Sequence, residues 1–135
     1  MSGRGAGERL ARKEEAGLGD LTVELERTAR QGATRQVWAR LERGGDLVFM
    51  GQALGPAGPG AGVRDYEWSL RVAAEHLPRL RRSLGLTTLG GLWPVSEARL
   101  LRALRRRFSG RATRRIEPFL EAHGIPASLW NRVGD

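Results

Sequence analysis

Residues 34–50, TRQVWARLERGGDLVFM, decide the fold of this chain. Val37, Ala39 and Leu41 alternate with polar or bulky side chains, which is the two-residue period of a strand with one buried face. Two glycines at 44 and 45 then end this pattern, and glycine readily adopts the positive φ values of a two-residue hairpin turn. The run LVFM that follows does not alternate, as is typical of a strand covered on both faces. We therefore predict an antiparallel hairpin whose second strand is central in its sheet.

Two further strands are predicted on either side of this hairpin. Between Leu21 and Glu26, apolar residues alternate with threonine and glutamate, so Glu24 and Glu26 are expected on the solvent face. From Asp65 to Val72 the aromatic and aliphatic side chains again alternate with polar ones. The segment 53–62, ALGPAGPGAG, separates this strand from the hairpin and is predicted to be a surface loop because it combines prolines with glycines.

After Val72 the apolar spacing changes to that of helices. The predicted helices run from Glu75 to Leu84, from the N-cap Ser96 to Phe108, and from Arg115 to His123. A last short helical turn, starting at Pro126, is expected to carry Leu129, Trp130 and Val133. The predicted class is α+β: an antiparallel sheet of about four strands followed by three or four short helices packed on one face. Residues 1–19 are expected to form a flexible N-terminal tail, and residues 20–135 a single domain.

The composition of the chain excludes several classes of functional site but does not identify a function. The chain has 135 residues and no cysteine, which excludes disulfides, thiolate metal sites and a cysteine nucleophile. It lacks both the run of ~20 apolar residues that a membrane span needs and a recognisable secretory signal segment. We expect a cytoplasmic protein that does not contact membranes.

The positive charge is unevenly distributed along the chain. Residues 1–75 carry equal numbers of basic and acidic side chains, so the net charge of +8 arises from residues 76–135. Of the 23 basic residues all but Lys13 are arginine, whose codons are GC-rich, and a GC-rich genome therefore explains much of the excess without any binding function. The other interpretation is attraction to a polyanion, since the planar guanidinium suits phosphate. Both interpretations stay open at this stage.

Few residues suggest catalysis. A position at the C-terminus of a helix explains His123 structurally, because the helix dipole favours a cation there. Asp65, Glu67, Glu75 and His76 form a weak candidate for an oxygen-rich metal site, since nothing specifies a complete ligand set. The sequence contains no phosphate-binding glycine loop and no nucleophile elbow. We therefore predict no enzyme activity, no catalytic residue, no bound metal and no cofactor.

Two binding hypotheses remain. In the first, a protein partner docks on the sheet face and on the loop around Gly55–Arg64, with Trp38, Asp65 and Glu67 as candidate contacts. Tryptophan is a favoured anchor at interfaces. The alternative for Trp38 is packing beneath the N-terminal tail. In the second hypothesis, arginines of the helical half bind nucleic acid through its backbone. The candidate residues for this second function are Arg79, Arg82, Arg99, Arg102, Arg105, Arg106, Arg107 and Arg111.

Several short motifs resemble those of a group of small, functionally uncharacterised proteins of high-GC actinobacteria. The motifs are Gly51-Gln52 with Leu54-Gly55, then Asp65-Tyr66-Glu67, Glu75-His76-Leu77 and His123-Gly124-Ile125-Pro126. The resemblance implies a strand-then-helix domain and supplies no established activity. The missing catalytic motifs and the exposed position predicted for Trp38, rather than this resemblance, favour a non-enzymatic accessory or immunity-type protein. The proline-rich loop at 56–62 and the arginine-heavy helices depart from the group's pattern.

Overall fold

A computed structural model describes residues 21–56, 63–86 and 96–134 of the chain. The predicted tail, residues 1–19, lies outside these ranges, as do residues 57–62 of the predicted loop. In the described ranges, five antiparallel strands form one sheet whose order follows the chain. The strands are β1 (Leu21–Arg30), β2 (Ala33–Leu41), β3 (Leu47–Pro56), β4 (Val63–Val72) and β5 (Ser128–Gly134).

The helical half lies between β4 and β5. Its α-helices are α1 (Leu77–Ser83), α2 (Glu97–Arg107) and α3 (Ile116–Ala122), and 3-10 helices at Ala74–His76 and Gly110–Arg115 precede α1 and α3. The hydroxyl of Ser96 accepts a hydrogen bond from the amide of Arg99 at 3.1 Å, which confirms the predicted N-cap of α2. No helix within these ranges is long and apolar enough to span a membrane.

One hydrophobic core lies between the sheet and the helices. The predicted hairpin is confirmed, because β2 and β3 pair from Thr34–Leu54 to Leu41–Leu47, and β3 is the middle strand. Leu47, Val48 and Phe49 are all buried, as the unalternating LVFM run predicted. The largest fully buried side chains of the core are Phe49, Leu47, Leu80, Leu100, Leu101, Leu104, Ile116, Val23, Val37 and Val72. The α+β class is therefore correct, with α2 packed against β1 and β2, and the second 3-10 helix packed against β1.

The expected count of about four strands was one short. The segment predicted as a helical turn after Pro126 is β5, which pairs with β4 from Arg71–Ser128 to Asp65–Gly134. Over so short a segment, the spacing of Leu129, Trp130 and Val133 fits both the two-residue period of a strand and the 3.6-residue period of a helix. Pairing with β4 decides between the periods, because it satisfies backbone groups of β5 that a single isolated turn leaves without partners.

The loop between β3 and β4 is shorter than predicted, and the turn between β2 and β3 is longer. β3 continues through Ala53 to Pro56, where the sequence predicted a loop, because β4 pairs with it as far as Pro56–Val63. The β2–β3 turn spans residues 42–46 rather than two glycines, and of the two only Gly45 has a positive φ, +102°.

Candidate functional site

The outer face of the sheet, which we define as the face opposite the helices, carries a row of large side chains. Strand register aligns Trp38 on β2, Met50 on β3, Ser69 on β4 and Trp130 on β5. Trp38 and Met50 are half-buried, whereas Trp130 is 53% exposed. The sequence predicted Trp38 on this face but missed Trp130, because the strand that carries it was interpreted as a helix.

A polar row runs beside these aromatic residues, two residues further along each strand. Gln36, Gln52, Glu67 and Arg132 are aligned across the four strands. The guanidinium of Arg132 lies 3.0 Å from the carboxylate of Glu67. Both predicted acids share this face with Trp38, because Asp65 lies two residues before Glu67 on β4. The structure thus brings the three predicted contact residues onto one surface.

The prediction that Glu26 also faces solvent is wrong. A β-bulge at Leu25 shifts the register between Glu24 and Glu26, so that Glu26 lies opposite the buried Val37 and points toward the helices. The extra residue of a bulge reverses the faces of all residues that follow it in the strand. Glu24 keeps its expected outward position and binds Arg27 through two hydrogen bonds of 3.0 Å.

Glu26 is the acceptor of a buried polar cluster. Its carboxylate accepts hydrogen bonds from the Nε of Arg35 at 3.0 Å, from the hydroxyl of Thr28 at 3.2 Å, and from the hydroxyl of Thr113. Burial by itself raises the pKa of Glu26, but the hydrogen bonds from Thr113 and Arg35 and the positive charge of Arg35 outweigh it. The net result is a pKa below the ordinary value for glutamate, so the group is ionised at neutral pH.

A cleft opens beside this cluster, between the sheet and the second 3-10 helix. It encloses about 230 Å³ and is lined in part by Arg35, Tyr66, Trp68 and Arg114. Trp68 lies over Gly51, where any Cβ would overlap the indole ring, and the guanidinium of Arg35 is 5.9 Å from the ring centroid. Sequence reasoning missed this assembly because its residues come from β2, β4 and the helical half. Its chemistry suits a planar or anionic group.

The arginines of the helical half differ from those of the sheet in their partners. On the sheet, Arg27, Arg35, Arg40, Arg71 and Arg132 each form a salt bridge with a glutamate. In the described part of the helical half, no arginine forms a salt bridge to an acid. On α2, the outward-facing arginines at 99, 102 and 106 are exposed and separated by three and four residues, so they lie along one stripe.

The other predicted nucleic-acid contacts are more varied. Arg82 and Arg111 are exposed and Arg105 is half-buried. Arg79 donates a hydrogen bond to the carbonyl of Gly124 at 3.1 Å, so it also ties α1 to the end of α3. Arg107 lies 4.7 Å from the ring centroid of Phe119. Two of the eight predicted residues therefore have structural contacts besides their exposed charge.

The weak metal hypothesis gains no support. Among the residues described, no group of three or more histidine, cysteine, aspartate or glutamate side chains converges. Asp65 and Glu67 lie toward the opposite end of β4 from Glu75 and His76, and Glu67 is paired with Arg132. His123 packs against Phe119 with 4.4 Å between ring centroids.

No family model, curated protein or solved structure matched this chain when it was compared with known proteins. The resemblance to the actinobacterial group therefore stays a prediction. The case for a function depends on the surfaces described above.

Proposed function

We propose that this chain is a non-enzymatic, accessory or immunity-type domain that binds a protein partner through the outer face of its sheet. The observation that supports the proposal is the alignment of Trp38, Met50 and Trp130 across β2, β3 and β5. Trp130 exposes half of its surface on a strand, where nothing in the backbone requires an aromatic side chain. Tryptophan is enriched among residues that contribute most to protein binding, because it buries a large area at little entropic cost.

The surroundings of the row also fit a protein partner. The ion pair of Glu67 and Arg132 and the amides of Gln36 and Gln52 form a polar border along one side. Interfaces commonly combine an aromatic centre with a hydrogen-bonding rim of this kind. A partner that presents an apolar surface with polar groups at its margin complements this arrangement.

The test compares the wild type with the double variant Trp38→Ala/Trp130→Ala and with the control Arg106→Ala on α2. Proteins captured by the wild type are purified, and their affinities for all three chains are measured by calorimetry. We expect each tryptophan to contribute about 2 kcal/mol, so that even one lost anchor weakens binding roughly 30-fold. The control is expected to bind like the wild type. A purified partner that binds the double variant with unchanged affinity contradicts the proposal.

We propose a second candidate function, backbone-directed nucleic-acid binding through the arginine-rich helices. It is favoured by the contrast between the ion-paired arginines of the sheet and the arginines of the helical half, which lack an acidic partner in the described ranges. A guanidinium without an acid partner pays no cost of breaking an ion pair when it binds phosphate. The exposed stripe on α2 is the centre of this candidate surface.

A salt series tests the second candidate. The affinity for duplex DNA is expected to fall with a slope of about −0.9 for each phosphate neutralised. Replacing Arg102, Arg105 and Arg106 with glutamate is expected to abolish binding, whereas lysines at the same positions keep the charge and most of the affinity. Binding that is insensitive to salt, or that survives the glutamate variant, excludes this function.

A further inference from the structure

β5 is an exposed edge strand. Every residue from Ser128 to Val133 is exposed, and the apolar side chains Leu129, Trp130 and Val133 are 53%, 53% and 56% exposed. β4 pairs with one edge of β5, and the sheet order places no described strand on the other. Unpaired N–H and C=O groups on an apolar edge are a template for pairing with another strand.

The opposite edge of the sheet has features that discourage such pairing. β1 contains the bulge at Leu25, and Glu24, Arg27 and Arg30 place three charges along it. Bulges and charges are the usual protection of an exposed edge. β5 contains no bulge, because its register with β4 is uninterrupted over seven pairs. Its one charged residue, Arg132, is paired with Glu67. The β5 edge therefore lacks the protection that the β1 edge has.

We infer that the β5 edge pairs with the β5 strand of a second copy of this chain, antiparallel about a two-fold axis through Asn131. Because a two-fold axis pairs residues at equal distances on either side of it, Leu129 then lies opposite Val133 of the other copy, and Trp130 opposite its Arg132. On the helix-facing side, Leu129 contacts Val133 of the other copy. On the outer side, the indole of Trp130 contacts the guanidinium of Arg132. Such cross-strand pairs stabilise a sheet.

The charges along β5 are compatible with this register. The two copies of Arg132 come to lie roughly 8 Å apart, at diagonal rather than opposite positions. Each keeps its own Glu67 at 3.0 Å, so no like charges face each other directly. Trp130 belongs to both proposed surfaces, whereas Leu129, Asn131 and Val133 alternate with it and lie on the other side of β5. Variants at these three positions therefore test the association without removing a tryptophan of the partner-binding row.

Sedimentation equilibrium of the full chain tests the association. We expect a dimer in the micromolar range for the wild type and a monomer for Val133→Arg, which places a charge opposite Leu129 of the other copy. The matched control Ala29→Arg adds the same charge at an exposed position of the β1 edge and is expected to remain dimeric. Circular dichroism establishes that the variants stay folded. A monomeric wild type, or a dimer that Val133→Arg leaves intact, overturns the inference.

Single cysteines then test the register, since the natural chain has none. At Asn131→Cys, the Cα atoms across the axis are expected about 4.5–5.5 Å apart, within the range that a disulfide spans. Mild oxidation should therefore yield a covalent dimer. At Leu129→Cys the two copies are roughly 14 Å apart and should not crosslink. Crosslinking at Leu129→Cys but not at Asn131→Cys overturns this register.

Discussion

Replacing Glu26 with glutamine removes one negative charge from the buried cluster and keeps its shape. The wild-type carboxylate has 1% of its side chain exposed and accepts hydrogen bonds from Arg35, Thr28 and Thr113. The glutamine oxygen retains the bonds from Arg35 and Thr113, which share one carboxylate oxygen in the wild type, and its amide group turns toward the hydroxyl of Thr28. Arg35, whose side chain is 21% exposed, loses its charged partner but keeps some contact with water.

The expected cost follows from the strength of the bonds. A hydrogen bond to a charged group contributes about 1.5–3 kcal/mol and a neutral one about 0.5–1.5 kcal/mol. Reducing two charge-assisted bonds to neutral ones therefore lowers the free energy of unfolding by about 2 kcal/mol. For a domain of this size, that corresponds to a decrease in Tm of roughly 8 °C. Urea denaturation at pH 7 measures the free energy directly.

The pH dependence identifies the charge as the cause. Because the folded pKa of Glu26 lies below the unfolded value of about 4.3, its stabilisation is complete well above that value. It is lost as the pH falls through the folded pKa, where the wild-type carboxylate also becomes neutral. The difference in stability between wild type and Glu26→Gln is therefore expected to be largest near pH 7 and to shrink below about pH 4.

The surface variant Glu24→Gln is the control for this experiment. Glu24 pairs with Arg27, whose side chain is 65% exposed, and an exposed pair contributes at most about 1 kcal/mol. A change below about 0.5 kcal/mol for Glu26→Gln at pH 7, or a change that does not vary with pH, refutes the reasoning.

Two further substitutions test the packing and the capping of the fold. Gly51→Ala is expected to lower the free energy of unfolding by about 1–3 kcal/mol, because its Cβ overlaps the ring of Trp68. Gly44→Ala, where a Cβ has open space, is the matched control; equal urea midpoints for the two variants contradict this account. Ser96→Ala is expected to cost about 1 kcal/mol through the lost N-cap, and unchanged thermal unfolding argues against the cap's contribution.

The elements with a strong local pattern could be predicted from the sequence. The alternation in residues 34–41, the unalternating LVFM run and the helical spacing of Leu100, Leu101 and Leu104 each reflect burial on one or both sides of an element. Ser96 was predictable as a cap because a hydroxyl before a helix binds the free amides of its first turn. The face of Trp38, Asp65 and Glu67 followed from the same two-residue period.

Register and pairing were decided by the tertiary structure. The bulge at Leu25 turns Glu26 inward, and the pairing of β5 with β4 makes a strand of a segment that fits a helical turn equally well. Trp130 joins the outer face, and Arg35, Trp68 and Thr113 meet at the cleft, only once these pairings exist. A local sequence pattern indicates which residues of an element are buried and which are exposed. The partner strand and the offset against it depend on hydrogen bonds between residues distant in the chain, which no short segment encodes.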